Sequence, residues 1–273
     1  MCRVLEVSRC GYYLWKHRKP SKRQIENEKL KCEVREIFYN KRKTYGSRRI
    51  TDELRDRGKR YNKKRIGKLL NIQCLYAKAT RKFKRVKPRN NWHTGIQDLV
   101  QREFTATSVN TLWSSDITYL WTKQGWMYLA VVLDVCSRKI VGYSLSRRMT
   151  GEIIAKALQR ALYQRIVTRK TIFHSDRGSP FGSDDVKEII KNNHLCQSMG
   201  VTGSCYDNAI TETFFHTLKV ETIHGERFDT REELERTIFD YIECFYNTQR
   251  KHSALGNKSP EQFEQQLLKK TVA

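Results

Sequence analysis

The apolar positions of this chain change their period near residue 108. Before that point they recur at helical spacing. Ile25, Leu30, Val34, Ile37 and Phe38 fall on one face of a helix predicted over 24–40, with Lys and Glu between them. Tyr45-Gly46 marks a turn, and Ser47 is placed to cap a second helix carrying Ile50 and Leu54 inward, ending near Arg57-Gly58. Asn62 is placed to cap a third, with Ile66, Leu69 and Leu70 inward. Two short helices joined through a glycine predict a helix-turn-helix-like segment within about 24–75.

After residue 108 the pattern becomes strand-like, with runs at 112–121, 126–134 and 138–145. The run Trp126 to Asp134 is almost wholly apolar, as expected of a central strand covered on both faces. Thr150 is placed to cap a helix over 151–166 that turns Ile153, Ile154, Ala157, Leu158, Ala161 and Leu162 inward. A strand at 171–175, a helix near 183–193, a short strand at 195–198 and a helix from Tyr206 to Lys219 follow, and Arg231 to Asn247 reads as one more helix. An antiparallel start with a parallel continuation is the order of ribonuclease-H-like cores. The expected class is α/β, a mixed five-stranded sheet with helices behind a basic helical region. The expected divisions are a basic region over 1–98, a core over 99–222 and a helical C-terminal extension over 223–273.

Charge sharpens the division. The 273 residues carry a formal net charge of +24, distributed unevenly: residues 1–100 hold 30 Lys and Arg against 9 Asp and Glu, and the remainder 23 against 20. A strongly basic region beside a near-neutral core points to nucleic acid. Arg48 and Arg49, then Lys63, Lys64, Arg65 and Lys68, are the candidates for phosphate contact; a solvated helix face is the alternative. Arg81 to Arg89 continues the basic run as a linker able to follow a DNA backbone. The eight cysteines form no CxxC pair and read as reduced thiols of a cytoplasmic protein. No apolar run approaches the roughly 20 residues that span a bilayer, so no membrane role is expected.

Three acidic residues carry the candidate chemistry. Asp116 lies in the strand-like run Leu112 to Leu120, Asp176 ends the run Thr171 to Ser175, and Glu212 lies in the helix that follows. Taken singly, each has an ordinary structural reading as a turn or exposed helix carboxylate. Together, two strand-end aspartates and one helix-borne glutamate can hold two Mg²⁺ ions about 3.5–4 Å apart, the arrangement that serves in-line displacement at phosphorus. Lys219, two helical turns beyond Glu212, is a candidate DNA-phosphate contact or a solvated lysine. Asn208 and Asp207 are placed to cap the Glu212 helix and Asp134 to serve its turn; His174 and His216 are candidates to assist proton transfer, each with an ordinary structural role as the alternative, His216 merely lining the site. Cys10, His17, Cys32 and His93 lack paired ligand spacing, so no zinc is expected.

Several blocks stand together in order: Thr44-Tyr45-Gly46-Ser47-Arg48-Arg49-Ile50; Trp113 with Asp116-Ile117-Thr118-Tyr119; Leu133-Asp134 with Ser137-Arg138; His174-Ser175-Asp176-Arg177-Gly178; Cys205-Tyr206-Asp207-Asn208-Ala209 with Glu212-Thr213-Phe214-Phe215; Leu218-Lys219 with Glu221; and Tyr246-Asn247, Arg250, His252-Ser253-Ala254-Leu255 with Ser259-Pro260. In these the chain resembles the catalytic, second-frame transposase of IS3-type bacterial insertion sequences, within the retroviral-integrase superfamily. The resemblance implies that Asp116, Asp176 and Glu212 form a metal-binding DDE triad using two Mg²⁺ (or Mn²⁺) ions. It implies metal-dependent cleavage at the terminal inverted repeats of an element and 3′-OH strand transfer into target DNA. It also implies double-stranded DNA as partner, an upstream-frame protein or frameshift fusion with it, and a homo-oligomer on DNA. The opening residues Val4 to Tyr13 read as the middle of a longer polypeptide, in keeping with an upstream frame. A non-catalytic DNA-binding regulator of the element and a ribonuclease-H-like nuclease are the alternatives; joining of a 3′-OH distinguishes them.

Overall fold

The computed structural model describes residues 2–78, 95–101, 103–200 and 208–272. The chain divides into two compact units, Met1–Lys78 and Ala79–Ala273. The basic run 81–89, Cys205, Tyr206 and Asp207 lie outside the described residues.

The first unit is helical: α1 (Arg9–Lys16), α2 (Lys22–Asn40), α3 (Ser47–Asp56) and α4 (Lys63–Ile72). Ser21 opens α2 with a reciprocal cap: its Oγ accepts from Gln24 N–H at 3.2 Å, and Gln24 Oε1 accepts from Ser21 N–H at 2.7 Å. The helix buries Leu30, Val34, Ile37 and Phe38 of the expected stripe, in a core shared with Ile50 and Leu54 of α3 and Ile66, Leu69 and Leu70 of α4, whereas Ile25, in the first turn, is exposed. Asn62 caps α4, its Oδ1 accepting from Lys64 N–H at 2.8 Å. Ser47 does not cap α3. It is the first helical residue, and Gly46 holds the cap position without a side-chain bond. One α3 hydroxyl turns inward instead: Thr51 Oγ1 donates to Ser47 C=O at 2.6 Å.

The second unit is built on a five-stranded sheet in the order β3-β2-β1-β4-β5. Its strands are β1 (Leu112–Thr122), β2 (Gly125–Asp134), β3 (Ile140–Ser146), β4 (Ile172–Ser175) and β5 (Cys196–Met199). β1 pairs antiparallel with β2, and β2 with β3; β1 pairs parallel with β4, and β4 with β5. The β1–β2 turn closes on Gly125, whose φ of +107° a side chain would resist. Third-strand pairing starts at Ile140 rather than 138, because Asp134 organises the intervening turn. Its Oδ1 accepts from Ser137 N–H at 3.0 Å, its Oδ2 from Asn110 N–H at 2.6 Å, and Arg138 adopts φ +60°.

Helix α5 (Gly151–Gln164) packs its buried Ile153, Ile154, Ala157, Leu158 and Ala161 on β2 and β3. The approach is so close that a Cβ on Gly142 of β3 would stand 2.1 Å from the Ala157 carbonyl oxygen. The helix ends at Gln164, two residues before the expected end at 166, and Arg165 is extended. Helix α6 (Asp184–Asn192) joins the same apolar layer through Val186 and Ile190. The other layer holds α7 (Ala209–Leu218), which widens into a π-helical turn over Lys219–Ile223. Then come α8 (Arg231–Phe239), continued as a π-helical stretch over Asp240–Tyr246, and α9 (Pro260–Val272).

The segment after residue 223 belongs to this same unit. Asn247 is inserted into the end of β3, its Oδ1 accepting from Ile140 N–H and its Nδ2 donating to Ile140 C=O, both at 3.0 Å. Arg250 forms a buried ion pair with Glu221 at 2.7 Å, and Tyr241 Oη donates to the same carboxylate at 2.7 Å.

Candidate active site

The parallel register of β1 and β4 fixes the first two acidic residues. Ser115 and Ser175 are the last paired residues, so Asp116 and Asp176 follow as neighbours where this pairing stops: Asp176 lies just past the end of β4, whereas Asp116 lies inside β1, which corrects the expectation of two strand-end aspartates. Asp116 Oδ1 accepts from Ile117 N–H at 2.7 Å, and Asp176 Oδ1 from Gly178 N–H at 3.1 Å. β4 stops here while β1 runs on to Thr122, so β4 covers no part of β1 beyond Ser115.

The third carboxylate arrives on α7, whose first turn is fastened to β1 beside Asp116. Asn208 Nδ2 donates to Ser115 C=O at 2.8 Å, and its Oδ1 accepts from Ser114 Oγ. Ser114 Oγ and Thr211 Oγ1 share a hydrogen bond of 2.6 Å. All of these side chains are buried, so the bonds are shielded from water. Asn208 stands at the cap position, but its side chain makes no cap bond; it is turned to the strand instead. Phe214, Phe215 and Leu218 anchor the inner face of the helix, which leaves Glu212 exposed on the outer face in the first turn.

Electrostatics couple the acidic residues. The Asp116 carboxyl is held well above its ordinary pKa, first by desolvation, then by the negative charge of Asp176, with Glu212 adding to it; the Ile117 N–H and Lys219 oppose the rise. Asp176 is also raised, by desolvation against the pull of the Gly178 N–H and His174. Lys219 is lowered by desolvation and partly restored by Asp116. Its Nζ sits 4.9 Å from the centre of the Tyr119 ring. An open cleft of about 510 Å³ includes Asp116, Glu212, His216 and Lys219 in its lining, together with Tyr119, Trp121, Trp126 and His224. Asp176 borders Asp116 but is not part of that lining. Among the described residues, no group of three or more His, Cys, Asp or Glu side chains is arranged to hold a metal ion as it stands.

The other residues singled out in the sequence separate into two sets. His216 lines the cleft, whereas His174 is buried behind the strand ends, with Nδ1 2.9 Å from Ser198 Oγ and its ring edge-on to Phe104. That burial favours the structural reading of His174. Asp134 serves its turn, as described above. In the helical unit, Arg48, Lys63, Lys64 and Lys68 are exposed, and Arg49 lies over the Tyr45 ring at 5.5 Å. Arg65 is turned inward: Nε donates to Asn27 Oδ1 at 2.9 Å, the guanidinium pairs with Glu26 at 3.0 Å, and its plane lies over Tyr61. Those partners on α2 occupy part of the Arg65 guanidinium, leaving Arg48, Lys63, Lys64 and Lys68 the more open of the candidates for phosphate contact.

Comparison with known proteins agrees with this architecture. Residues 106–205 match one family model described as integrase core domain and residues 212–268 a second of the same description; residues 24–83 match an HTH-like domain. The chain is 46% identical over 270 residues to the transposase InsF for insertion sequence IS3A of Escherichia coli (strain K12), covering 98% of this chain and 94% of that one. This chain belongs to the IS3-family transposases. It is 40% identical over 265 residues to a 31 kDa protein of insertion element IS600 from Shigella sonnei, covering 97% of each. Among solved structures, the catalytic core domain of BIV integrase covers 60% of this chain and 99% of that one, with 16% identity and a TM-score of 0.44.

The transposase therefore carries an integrase core behind an HTH-like domain. It is a DNA transposase of an insertion sequence, a polynucleotidyl transferase of the DDE class. Several of its site residues were not singled out from sequence. Ser114 and Thr211 gave no local signal, because their partners lie nearly a hundred residues away. Tyr119 and Trp121 carried one, an aromatic at alternate strand positions, which marks a shared sheet face.

Proposed function

We propose that Asp116, Asp176 and Glu212 are the catalytic and metal-binding triad of this transposase, and that the cleft beside them receives the end of the element. The observation that carries this reading is the strand register that makes Asp116 and Asp176 neighbours, with Glu212 close enough to act on Asp116. The donor chemistry fits two hard divalent ions, Mg²⁺ or Mn²⁺: the three side chains offer only carboxylate oxygen, and their mutual repulsion is what a bound cation relieves. Such ions, when bound, supply charge neutralisation at phosphorus and acidify the attacking hydroxyl.

The chain's own groups do the rest. The fastening of α7 to β1 holds Glu212 in the cleft that Asp116 also lines, so little reorganisation remains at the moment of reaction. Lys219, positive and half-buried beside Asp116, offsets phosphate charge on the DNA strand. The nucleophile is water for cleavage at the terminal inverted repeat and a DNA 3′-OH for joining to target DNA. In the helical unit, Arg48, Arg49, Lys63, Lys64 and Lys68 supply the phosphate contacts that bring double-stranded DNA to the protein. The upstream-frame protein, or a fusion with it, and a homo-oligomer on DNA complete the working assembly. None of the described helices is long and apolar enough to cross a membrane, which suits action on cytoplasmic DNA.

The test uses labelled element-end DNA in Mg²⁺, with this chain alone and fused to its upstream frame. Asp116→Asn, Asp176→Asn and Glu212→Gln should each abolish cleavage and joining while DNA affinity in a gel shift stays within about threefold, less than one tenfold step of 1.4 kcal/mol. Joining that survives any one of these changes removes that residue from the triad. Binding lost together with joining in Glu212→Gln would assign the glutamate to DNA binding instead.

A further inference from the structure

One group of side chains in the cleft has no part in that chemistry. Tyr119 and Trp121 stand two residues apart on β1, and Trp126 of β2 is the register partner of Trp121, so the three share one sheet face. They are 57%, 54% and 47% exposed, whereas Trp113, farther back on the same strand, is fully buried. The rings support one another edge-to-face, with centroids 5.3 Å apart for Tyr119–Trp126 and 4.8 Å for Trp121–Trp126. They sit where β4 no longer covers β1, in the cleft that also holds Asp116, Glu212 and Lys219.

We propose that Tyr119, Trp121 and Trp126 form a stacking platform for an unpaired DNA base beside the scissile phosphate, a proposal that rests on the cleft being the site of DNA cleavage and joining. Three observations favour a nucleotide as the occupant. The rings are rigid and held by one another, so ordering a base against them costs little further side-chain entropy. A cation stands over the first of them: Lys219 Nζ lies over the Tyr119 ring, 4.9 Å from its centre, and meets the phosphate when a base lies on the neighbouring tryptophans. The rings open into the same cleft as the carboxylates, although Asp116 lies on the other face of β1. An apolar protein surface laid on the rings would offer no counter-charge to Lys219, which is costly, whereas a nucleotide offers charge to the lysine and a π-face to the rings. A base drawn out of the duplex next to its phosphate also opens the backbone to approach by the carboxylates.

The experiment is a binding cycle on the full chain, in buffer free of divalent metal, so that it is independent of catalysis. Element-end duplexes carry, at each position flanking the scissile phosphate in turn, either an unpaired base or an abasic residue. The wild-type protein should bind the unpaired base roughly five- to a hundredfold more tightly than the abasic residue at one of these positions, the range that base–aromatic stacking supports. In Trp121→Ala/Trp126→Ala the ratio should fall to about one, and Trp121→Phe/Trp126→Phe should keep most of it. A ratio near one in the wild type, or one that the alanine pair leaves unchanged, overturns the platform. Equal weakening toward both DNAs in the alanine pair also overturns it and assigns the rings to a protein contact or to packing. Joining by Asp116→Asn, measured separately, reports on the triad alone, so the two readings fail independently.

Discussion

Asp116 carries a cost in stability. Its carboxyl is desolvated and faces Asp176 and Glu212, so the folded chain holds its proton more tightly than the unfolded chain does. The unfolded carboxyl therefore ionises first as pH rises, and stability falls across the window from the ordinary aspartate range up to the raised value. Above that window Asp116→Asn, which removes the charge, should melt at a higher temperature than the wild type in metal-free buffer; the two should converge at acid pH, and Mg²⁺ should narrow the gap. Thermal melts at several pH values check the sign, and a variant less stable than the wild type at neutral pH would contradict it. Cys136 gives a second prediction at this scale. Burial first, then Asp134 and Glu264, push its thiol up to about 11, so little thiolate exists at pH 8. Alkylation followed by mass spectrometry should modify the exposed Cys10, Cys32, Cys74 and Cys244 well before Cys136.

Elements transmit the site's geometry through polar bonds between distant segments. Asn208→Ala removes the donor to the Ser115 carbonyl and the acceptor for Ser114, and should cost about 1–3 kcal/mol in denaturant unfolding. Joining should fall with it while DNA affinity holds, because α7 then loses its fixed position beside Asp116. The Glu221–Arg250 pair is more costly to break. Arg250→Ala strands a buried carboxylate and should destabilise the fold by about 3–5 kcal/mol, and Glu221→Gln/Arg250→Met should recover much of it. Such pairings also mark where sequence reading stopped. The strand alternation, most of the apolar stripes of α2 and α5, and Asp176 at the end of β4 are local patterns and were legible from spacing; the continuation of β1 past Asp116 was not read as a placement inside the strand. The turn of Asn208 toward β1, the inward turn of Arg65 toward Asn27, and the insertion of Asn247 into β3 depend on partners dozens of residues away or more, which no local period encodes. Strand β3 began late because a left-handed Arg138 in the Asp134 turn is a backbone property that side-chain hydropathy does not report.

At the scale of the whole molecule, charge and chemistry occupy different parts of the chain. The basic excess belongs to the first hundred residues and the carboxylates to the near-neutral remainder. DNA affinity should therefore depend steeply on salt through the helical unit. Replacing Lys63, Lys64 and Lys68 by alanine should lower the log–log salt slope by about 0.9 for each phosphate left un-neutralised, without moving the intrinsic chemistry on saturating DNA. An unchanged slope would return those lysines to solvated surface. The division was visible in composition alone. The packing of residues after 223 into the catalytic unit was not, since the helical period over 231–247 does not reveal what that helix packs against.

The most direct test of the central claim, that Asp116, Asp176 and Glu212 act together through bound divalent metal, is a metal-rescue measurement of strand joining with Asp116→Cys and Glu212→Cys. A thiolate is a poor ligand for Mg²⁺ and a better one for the softer Mn²⁺. Both variants should be inactive in Mg²⁺ and recover joining in Mn²⁺, while Asp116→Asn and Glu212→Gln recover less. Joining by either cysteine variant at the wild-type rate in Mg²⁺, or wild-type joining that persists in a chelator, would contradict the claim.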